Sequence, residues 1–363
     1  MEVDLVETIH PKRIESALET LWEAYRGSDK MRACLLNLII YSGSTGQRLY
    51  LEKIAKNVIM KFPSRVFLIV HDRKRREVEP ETAVSLLTPE KGRICVPCDM
   101  IRITVSDQSV ACVPFIILPH LFSDLPIHMI EADDPVKAGT VSGRLERLAC
   151  RLVFDAEGAG DLAGFAKTVL QKQKETGVDV ADLHWGRIEG WRRLFANVFR
   201  PPDDLSHLNS GADIRIHYCA TGTTSPYERT QAIYLRTWLA CTLKWHWVRM
   251  KREKGGPCFV YEVDSRPVHV RFLPLVTDSV QPGHILRVEI ETQTGVRYHF
   301  ERDEVIKHRI TINRGTEDRC YLPTLFMLDR ELYGQAFIKE ICYRGTSRHY
   351  TDMLEELVRR DGK

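Results

Sequence analysis

Short apolar runs alternate with helix-like segments through the first half of the chain, and this alternation restricts the folds that it can adopt. Ala33–Tyr41 and Ser64–Val70 are nearly continuous apolar runs bounded by turn residues, the pattern expected of strands that are buried on both faces. Further strands are predicted at 100–105, 126–130 and 151–155, and helices at 14–25, 47–62, 109–121, 142–149 and 161–175. Strand–helix–strand order predicts an α/β domain with a mostly parallel sheet covered by helices.

The second half has a different pattern. The residues at 212–220 alternate as a strand, those at 226–247 are apolar nearly all round and predict a buried helix, and 325–360 predicts closing helices. Five further short strands, separated by turns, are predicted at 258–263, 267–275, 284–292, 296–302 and 305–312. We therefore expect two domains, a Rossmann-like α/β domain at 1–177 and an α+β domain with an antiparallel strand meander at 178–363.

Composition and charge exclude several classes of protein. The 363 residues, of which 44% are hydrophobic and 28% charged, can bury two cores and do not resemble a disordered chain. The net charge of +3 is small, and the basic run His71–Arg76 is followed at once by Glu77, Glu79 and Glu81. This run predicts a solvated loop, so we expect no nucleic acid among the partners.

The ends and the cysteines indicate a compartment. Met1–Ser16 is polar and acidic, unlike a secretory signal, and the chain has no uninterrupted apolar stretch of the ~20 residues that a membrane span needs. Ten cysteines in such a chain indicate reduced thiols. We therefore expect a cytoplasmic protein with no membrane contact.

Two local motifs could carry chemistry. The loop Gly43–Gly46 follows a predicted strand and precedes a helix, where backbone amides can hold a phosphate, but it lacks the full dinucleotide and P-loop patterns. Cys95 and Cys98 form a C-x-x-C that could act as a redox pair, although the segment leads into a strand and not a helix. A plain turn and ordinary reduced cysteines are the competing interpretations.

Other catalytic signals are missing from the sequence. It contains neither G-x-S-x-G nor H-E-x-x-H, and Asp133 and Asp134 are adjacent on one loop, where two carboxylates seldom converge on one atom. The histidines are scattered. We predict no catalytic residues, no metal ligands and no cofactor.

The richest constellation of aromatic and basic residues is Asp182–Phe199. Tryptophan and arginine are the residue types most enriched at the energetic centres of protein interfaces. Within this segment Trp185, Arg187, Trp191 and Arg192 are the candidate contacts with a partner. The competing interpretation is that Trp191 packs in the core and the arginines are solvated.

Several segments resemble the OpcA-type glucose-6-phosphate dehydrogenase assembly proteins, in the order in which that family has them. The most specific is Asp182–Ala196, in which Asp182, Trp185, Arg187, Trp191 and Arg192 fall at the family's spacing. Weaker similarities are found at Arg32–Tyr41, Pro63–Arg73, Cys98–Val105, Asp124–Pro126, Arg151–Ala156, Ala232–Trp245, Leu328–Gln335 and Tyr350–Leu357. Many members have tryptophans after Asp-Leu-Pro, where this chain has Ile127–Ile130.

The resemblance implies a non-catalytic accessory protein, without a cofactor, that binds glucose-6-phosphate dehydrogenase and promotes its assembly or activation. The consequence would be a larger supply of NADPH from the oxidative pentose phosphate pathway. The alternative is a sugar-phosphate or nucleotide-sugar enzyme that uses Gly43–Gly46 to hold a phosphate. A thiol switch at Cys95 and Cys98 is compatible with the first function.

Overall fold

The structure, a computed structural model, describes residues 7–25, 32–88, 96–136, 143–222, 226–253, 256–328, 338–340 and 345–361. The chain divides into two compact units. The first unit comprises Met1–Ala159, Lys167–Leu183 and Leu332–Thr346, and the second comprises Gly160–Ala166, His184–Glu331 and Ser347–Lys363. Each unit is built around one eight-stranded sheet.

The first sheet is mostly parallel. Its strands are β1 (Glu7–Ile9), β2 (Leu36–Ser42), β3 (Ser64–His71), β4 (Glu81–Leu87), β5 (Cys98–Val105), β6 (Ile127–Glu131), β7 (Arg151–Phe154) and β8 (Asp179–Asp182). They lie in the order β1-β4-β5-β3-β2-β6-β7-β8. Neighbours from β5 to β8 are parallel, whereas β4 and β1 extend the sheet in antiparallel pairs.

Helices of the first half follow the predicted strand–helix order. They are α1 (Ile14–Tyr25), α2 (Arg48–Ile59), α3 (Val113–Ile117), α4 (Gly143–Leu148) and α5 (Leu162–Thr176). Every residue of β2 and β3 is buried, because helices cover both faces of a parallel sheet. From α2, Leu51, Ile54 and Val58 pack into this core. Their spacing places them on one helical face.

The second sheet is antiparallel except at its centre. Its strands are β9 (Ala212–Ala220), β10 (His246–Glu253), β11 (Gly256–Val263), β12 (Arg266–Val276), β13 (Ile285–Thr292), β14 (Arg297–Arg302), β15 (Arg309–Gly315) and β16 (Thr324–Met327). The order is β10-β11-β12-β9-β13-β14-β15-β16, with β9 parallel to β12. The helices are α6 (Leu183–Arg187), α7 (Glu189–Val198), α8 (Pro202–Asn209), α9 (Thr230–Thr242) and α10 (Arg348–Asp361).

Side chains alternate across the second sheet as a period of two requires. Ile216, Phe272 and Phe300 are buried on one face. The other face carries cross-strand ion pairs, for example Arg271 with Asp213, and Arg215 with Glu289 at 3.6 Å. One face of this sheet is therefore a core and the other is polar.

The predicted fold class, an α/β unit followed by an α+β unit with antiparallel strands and closing helices, is confirmed. The alternation missed five strands, β1, β4, β8, β10 and β16. The predicted boundary after residue 177 falls just before β8, which pairs with β7 in the first sheet. The first unit includes Lys167–Leu183, whereas Gly160–Ala166 before it belongs to the second unit.

Two predicted helices have different limits. The helix predicted at 226–247 ends at Thr242, where Lys244 adopts a left-handed φ of 56° and the Trp245 amide donates to Ala240 O at 2.9 Å. This is a Schellman-type end with lysine in the position that glycine usually takes. The helical prediction at 325–360 is wrong at its start, because Leu325 lies in β16; residues 329–337 and 341–344 lie outside the described residues.

Candidate functional site

The first sheet has a topological switch between β2 and β6, where open α/β sheets bind their ligands. The chain runs from β2 through α2 to β3 on one side, whereas β6 pairs with the other side of β2. Connections that leave in opposite directions open a crevice at the carboxyl ends of these strands. The predicted phosphate loop, Gly43–Gly46, follows β2 and therefore lies at this crevice.

A carboxylate of the chain itself occupies the loop. Asp133, which follows β6, accepts a hydrogen bond from the Gly43 amide. A Cβ atom on residue 43 would lie 2.7 Å from Asp133 Oδ2, so a larger residue here would displace the Asp133 side chain. The next amide, that of Ser44, donates to Ser42 Oγ at 3.1 Å. The Gly43 and Ser44 amides, two of the amides that could hold a phosphate, are thus already bonded to oxygen atoms of the protein.

A hydrogen-bonded chain of three side chains lies at the same edge. Tyr41 Oη is 3.0 Å from His71 Nδ1, and His71 Nε2 is 2.7 Å from Asp107 Oδ1. Burial raises the pKa of the Tyr41 hydroxyl, and the neighbouring carboxylates of Asp133 and Glu131 raise it further. Tyr41 therefore keeps its proton at neutral pH, which makes it a hydrogen-bond donor and a poor nucleophile.

A buried lysine shared by two glutamates lies beyond the crevice. Lys172 Nζ on α5 is 2.7 Å from Glu146 Oε1 on α4 and 3.3 Å from Glu131 Oε2 at the end of β6. Burial raises the pKa of Glu131 to about 7, an effect that Lys172 opposes and Glu146 reinforces. Burial tends to lower the pKa of Lys172, but the two carboxylates outweigh it and raise that pKa overall. Near neutral pH this group can hold or release one proton.

At the opposite, amino edge of the sheet, a second polar network is buried. Arg65 donates to Asp99 Oδ2 at 2.9 Å and to Glu15 Oε1 at 2.8 Å. Asp99 also accepts from Trp22 Nε1 at 2.6 Å and from Arg32 at 2.7 Å. The Arg65 and Asp99 side chains are each 3% exposed. Complete pairing offsets the cost of burying these charges.

This network also fixes a surface loop. Asn37 Nδ2 donates to Phe122 O at 2.9 Å and to Leu125 O at 3.2 Å, and its Oδ1 accepts from the Phe122 amide at 3.0 Å. The guanidinium of Arg65 lies 4.0 Å from the centre of the Phe122 ring. Arg32, Asn37, Arg65 and Asp124, which belong to segments resembling the family, are thus gathered around one edge of the sheet. Sequence spacing gave no sign of this convergence.

The predicted redox pair is described in part. Cys95 lies outside the described residues, so the pair stays a prediction. Cys98 is 2% exposed, and its Sγ accepts a hydrogen bond from the Ser64 amide at 3.3 Å. Burial raises the pKa of the Cys98 thiol to about 12, which the Ser64 hydrogen bond only partly offsets. Such a thiol is protonated at neutral pH and reacts slowly.

The predicted partner-contact residues lie on α6 and α7. Trp185 and Trp191 are 3% and 1% exposed, so the interior holds both indole rings. Arg192 stacks on Trp185, with its guanidinium carbon 3.4 Å from the ring centre, and donates to Trp185 O at 3.1 Å. Arg187 is half-buried and lies 2.8 Å from His184 Nε2. The contact between Arg192 and Trp185 therefore joins α7 to α6, and the burial of Trp191 is the core role that the competing interpretation gave to that residue.

The outer face of α7 is exposed. Arg193, Ala196 and Asn197 are exposed at helical spacing, whereas Trp191, Leu194 and Phe195 are buried. A contact made by this segment would therefore use the outer face of α7, while the two tryptophans stay buried beneath it. Direct contact by the four predicted residues stays a prediction.

The fold and the crevice together define a class: a protein with an α/β unit and an α+β unit, in which the carboxylate of Asp133 lies at the switch point of the first sheet. In fold, the chain is similar to the transcriptional regulator Gal80p from Kluyveromyces lactis, with a TM-score of 0.50 and 8% identity over 95% of this chain and 94% of that one. It is also similar to the UDP-N-acetylglucosamine 3-dehydrogenase GnnA from Acidithiobacillus ferrooxidans, with a TM-score of 0.46 and 10% identity over 90% of this chain and 96% of that one.

The chain belongs to the OpcA family of glucose-6-phosphate dehydrogenase assembly proteins. Residues 178–360 match the C-terminal domain of the family described as a glucose-6-phosphate dehydrogenase subunit, and residues 55–170 match its N-terminal domain. The OxPP cycle protein OpcA of Nostoc punctiforme is 30% identical to this chain over 24% of this chain's length. The OxPP cycle protein OpcA of Synechocystis sp. is 26% identical over 31% of this chain's length. These matches span 17% and 23% of the two proteins' own lengths.

None of the helices in the described ranges is long and apolar enough to cross a membrane.

Proposed function

We propose that this protein is a non-catalytic, cytoplasmic accessory protein that binds glucose-6-phosphate dehydrogenase and promotes its assembly and activation. Membership of the family, by matches at 55–170 and 178–360, is the observation that carries the proposal. The crevice supports it: with Asp133 bonded to the Gly43 amide, the loop does not offer a phosphate-using enzyme its usual anion site.

Activation of this kind needs no chemistry from the accessory protein. A partner that binds the active oligomer of an enzyme more tightly than the inactive form shifts the population toward the active oligomer, to an extent set by the difference between the two affinities. NADPH supply by the oxidative pentose phosphate pathway would rise without a cofactor bound to this chain.

The outer face of α7 is the proposed contact surface. It presents Arg193 with Ala196 and Asn197, and arginine is enriched at the energetic centres of interfaces. Trp185, Trp191 and Arg192 would act as rigid support, and Arg187 would border the contact. A preorganised helix loses little conformational entropy on binding.

The test is to mix the purified chain with the dehydrogenase of the same organism and to measure co-elution, particle mass and dehydrogenase kinetics. We expect a complex of larger mass and an activity that rises and saturates with added chain. Two components that elute separately at micromolar concentrations, with unchanged kinetics, would refute the function.

A pair of charge reversals tests the surface separately. Arg193→Glu should weaken the complex by about tenfold or more, since reversing an interfacial charge costs on the order of 1–3 kcal/mol. Arg147→Glu makes the same charge change at an exposed position of α4 and should leave binding unchanged. Equal affinities for Arg193→Glu and the unmodified chain would exclude this face while leaving the function intact.

A further inference from the structure

The backbone on either side of Asp133 is fixed by contacts with neighbouring segments. The Ala132 amide donates to Tyr41 O at 3.0 Å, which continues the β6–β2 pairing up to the residue before Asp133. On the far side, a Cβ atom on Gly158 would lie 3.5 Å from the Asp134 amide nitrogen and 4.0 Å from the Asp133 carbonyl carbon. Asp134 Oδ1 accepts from the Val136 amide at 3.1 Å. The segment that carries Asp133 is therefore fixed by backbone contacts.

The loop that receives the carboxylate is equally constrained. Ser42 Oγ accepts from the Ser44 amide at 3.1 Å and lies 3.1 Å from Gln47 Oε1, so the loop folds back on its own side chains. Gly43 has no room for a Cβ atom beside Asp133. A phosphate bound at the Gly43 amide would therefore have to displace the Asp133 carboxylate.

We propose that Asp133 is the specificity-determining residue that closes the switch-point crevice to phosphate-bearing ligands. It does so because its side-chain oxygen bonds the Gly43 amide and fills the place where a phosphate would have to sit. In this fold, nucleotides bind through their phosphates at this crevice. Asp133 is therefore a barrier to phosphate binding at the switch point. This closure is a property of the chain alone and holds whether or not the chain binds the dehydrogenase.

The test uses inorganic phosphate as the probe and measures its binding to the full chain by calorimetry and by the shift of the unfolding temperature. The unmodified protein should show no binding at the crevice. Asp133→Ala frees the amide and removes the charge, so it should bind phosphate at least about tenfold more tightly. Asp133→Ser is a second, more polar variant for the case in which the alanine variant does not fold.

Two variants separate occupancy of the amide from charge. Asp133→Asn is neutral, but its side-chain oxygen can still accept from the Gly43 amide. The crevice of this variant should therefore stay closed to phosphate. Asp107→Asn removes one negative charge from the same edge of the sheet, where Asp107 bonds His71, and leaves the Gly43 loop untouched. The Asp107→Asn variant should likewise bind phosphate no more tightly than the unmodified chain. Gains in either variant equal to that of Asp133→Ala would reduce the effect to net charge and overturn the proposal.

The unmodified protein provides a measurement that does not depend on folding of any variant. The Gly43 amide resonance should not move as phosphate is added, because Asp133 holds that amide. A shift of the Gly43 resonance that saturates with phosphate would overturn the proposal, as would an Asp133→Ala or Asp133→Ser variant that folds and binds phosphate no more tightly than the unmodified chain.

Discussion

At the residue scale, the strongest electrostatic feature is the lysine that two carboxylates share. Lys172 can neutralise one of Glu131 and Glu146, so full ionisation would leave one negative charge in the interior. A buried unpaired charge is costly, and a proton on Glu131 removes it. The three residues lie far apart in the sequence, on β6, α4 and α5, and no pattern along the chain indicates that they meet.

A pH dependence of stability follows from Glu131. Its pKa is raised from 4.5 to about 7 in the folded state, so the folded protein keeps a proton that the unfolded chain releases. The stability that this proton provides is complete below pH 4.5 and is lost as the pH rises through 7, by about 3 kcal/mol in total. Glu131→Gln retains the neutral shape at every pH. The free energy of unfolding of the unmodified chain, relative to this variant, should therefore fall by that amount between pH 4.5 and 8.

Urea unfolding at a series of pH values measures this difference. Glu19→Gln, at an exposed position of α1, is the control and should follow the pH profile of the unmodified chain. If the free energies of unfolding of Glu131→Gln and of the unmodified chain change with pH in parallel, Glu131 does not hold the extra proton in the folded state.

At the element scale, periodicity predicted most of the elements that bury a face, although it missed β4, in which six of seven residues are buried. The runs at β2 and β3 are apolar because helices cover both of their faces, and α1 and α2 show clear helical spacing. By contrast, β10 is an edge strand with almost every residue exposed, so it carries little hydrophobic signal. The end of α9 was missed for a different reason: Lys244 takes the left-handed position, and lysine, unlike glycine, does not indicate such a position in a sequence.

Asn37 shows how one side chain can fix an element. It is fully buried in β2 and makes three hydrogen bonds to the backbone of Phe122 and Leu125. Asn37→Ala would leave the Phe122 amide and the Leu125 carbonyl without this side-chain partner, at a cost of about 3 kcal/mol. Denaturant unfolding should show that loss, and limited proteolysis should show faster cleavage near Ser123. Asn57→Ala on α2 is the control, with a change of less than about 0.5 kcal/mol; a similarly small loss at Asn37 would contradict the role of this network.

At the scale of the whole molecule, the chain returns to its first unit after building the second. Ile338 packs into the core of the first sheet, and Glu340 bonds the buried Arg151 at 2.6 Å. The Val180 amide donates to Thr346 Oγ1 at 2.9 Å. Composition and spacing suggested one crossing, near residue 177, because a return of a few residues leaves no mark on periodicity. The fold class of each unit could be predicted; this closing contact could not.

A fragment that ends at residue 177 should therefore not fold cooperatively. It lacks β8, Ile338 and Glu340, and it leaves the Arg151 guanidinium buried without its carboxylate. Breaking a buried ion pair by removing one partner costs about 3–5 kcal/mol, a large part of a typical domain's stability. Calorimetry should show a cooperative transition for the full chain and none for fragment 1–177.

A substitution in the full chain separates loss of the ion pair from loss of the strand. Glu340→Gln keeps the shape of the side chain but removes its charge beside Arg151, so it should lower the free energy of unfolding by about 3 kcal/mol. Glu317→Gln, whose side chain is 80% exposed, is the matched control and should change it by less than about 0.5 kcal/mol. If Glu340→Gln is as stable as this control while fragment 1–177 still fails to fold, the fragment fails because it lacks β8 and Ile338 and not because it lacks the ion pair. If the fragment unfolds as cooperatively as the full chain, the returning segment does not complete the first unit.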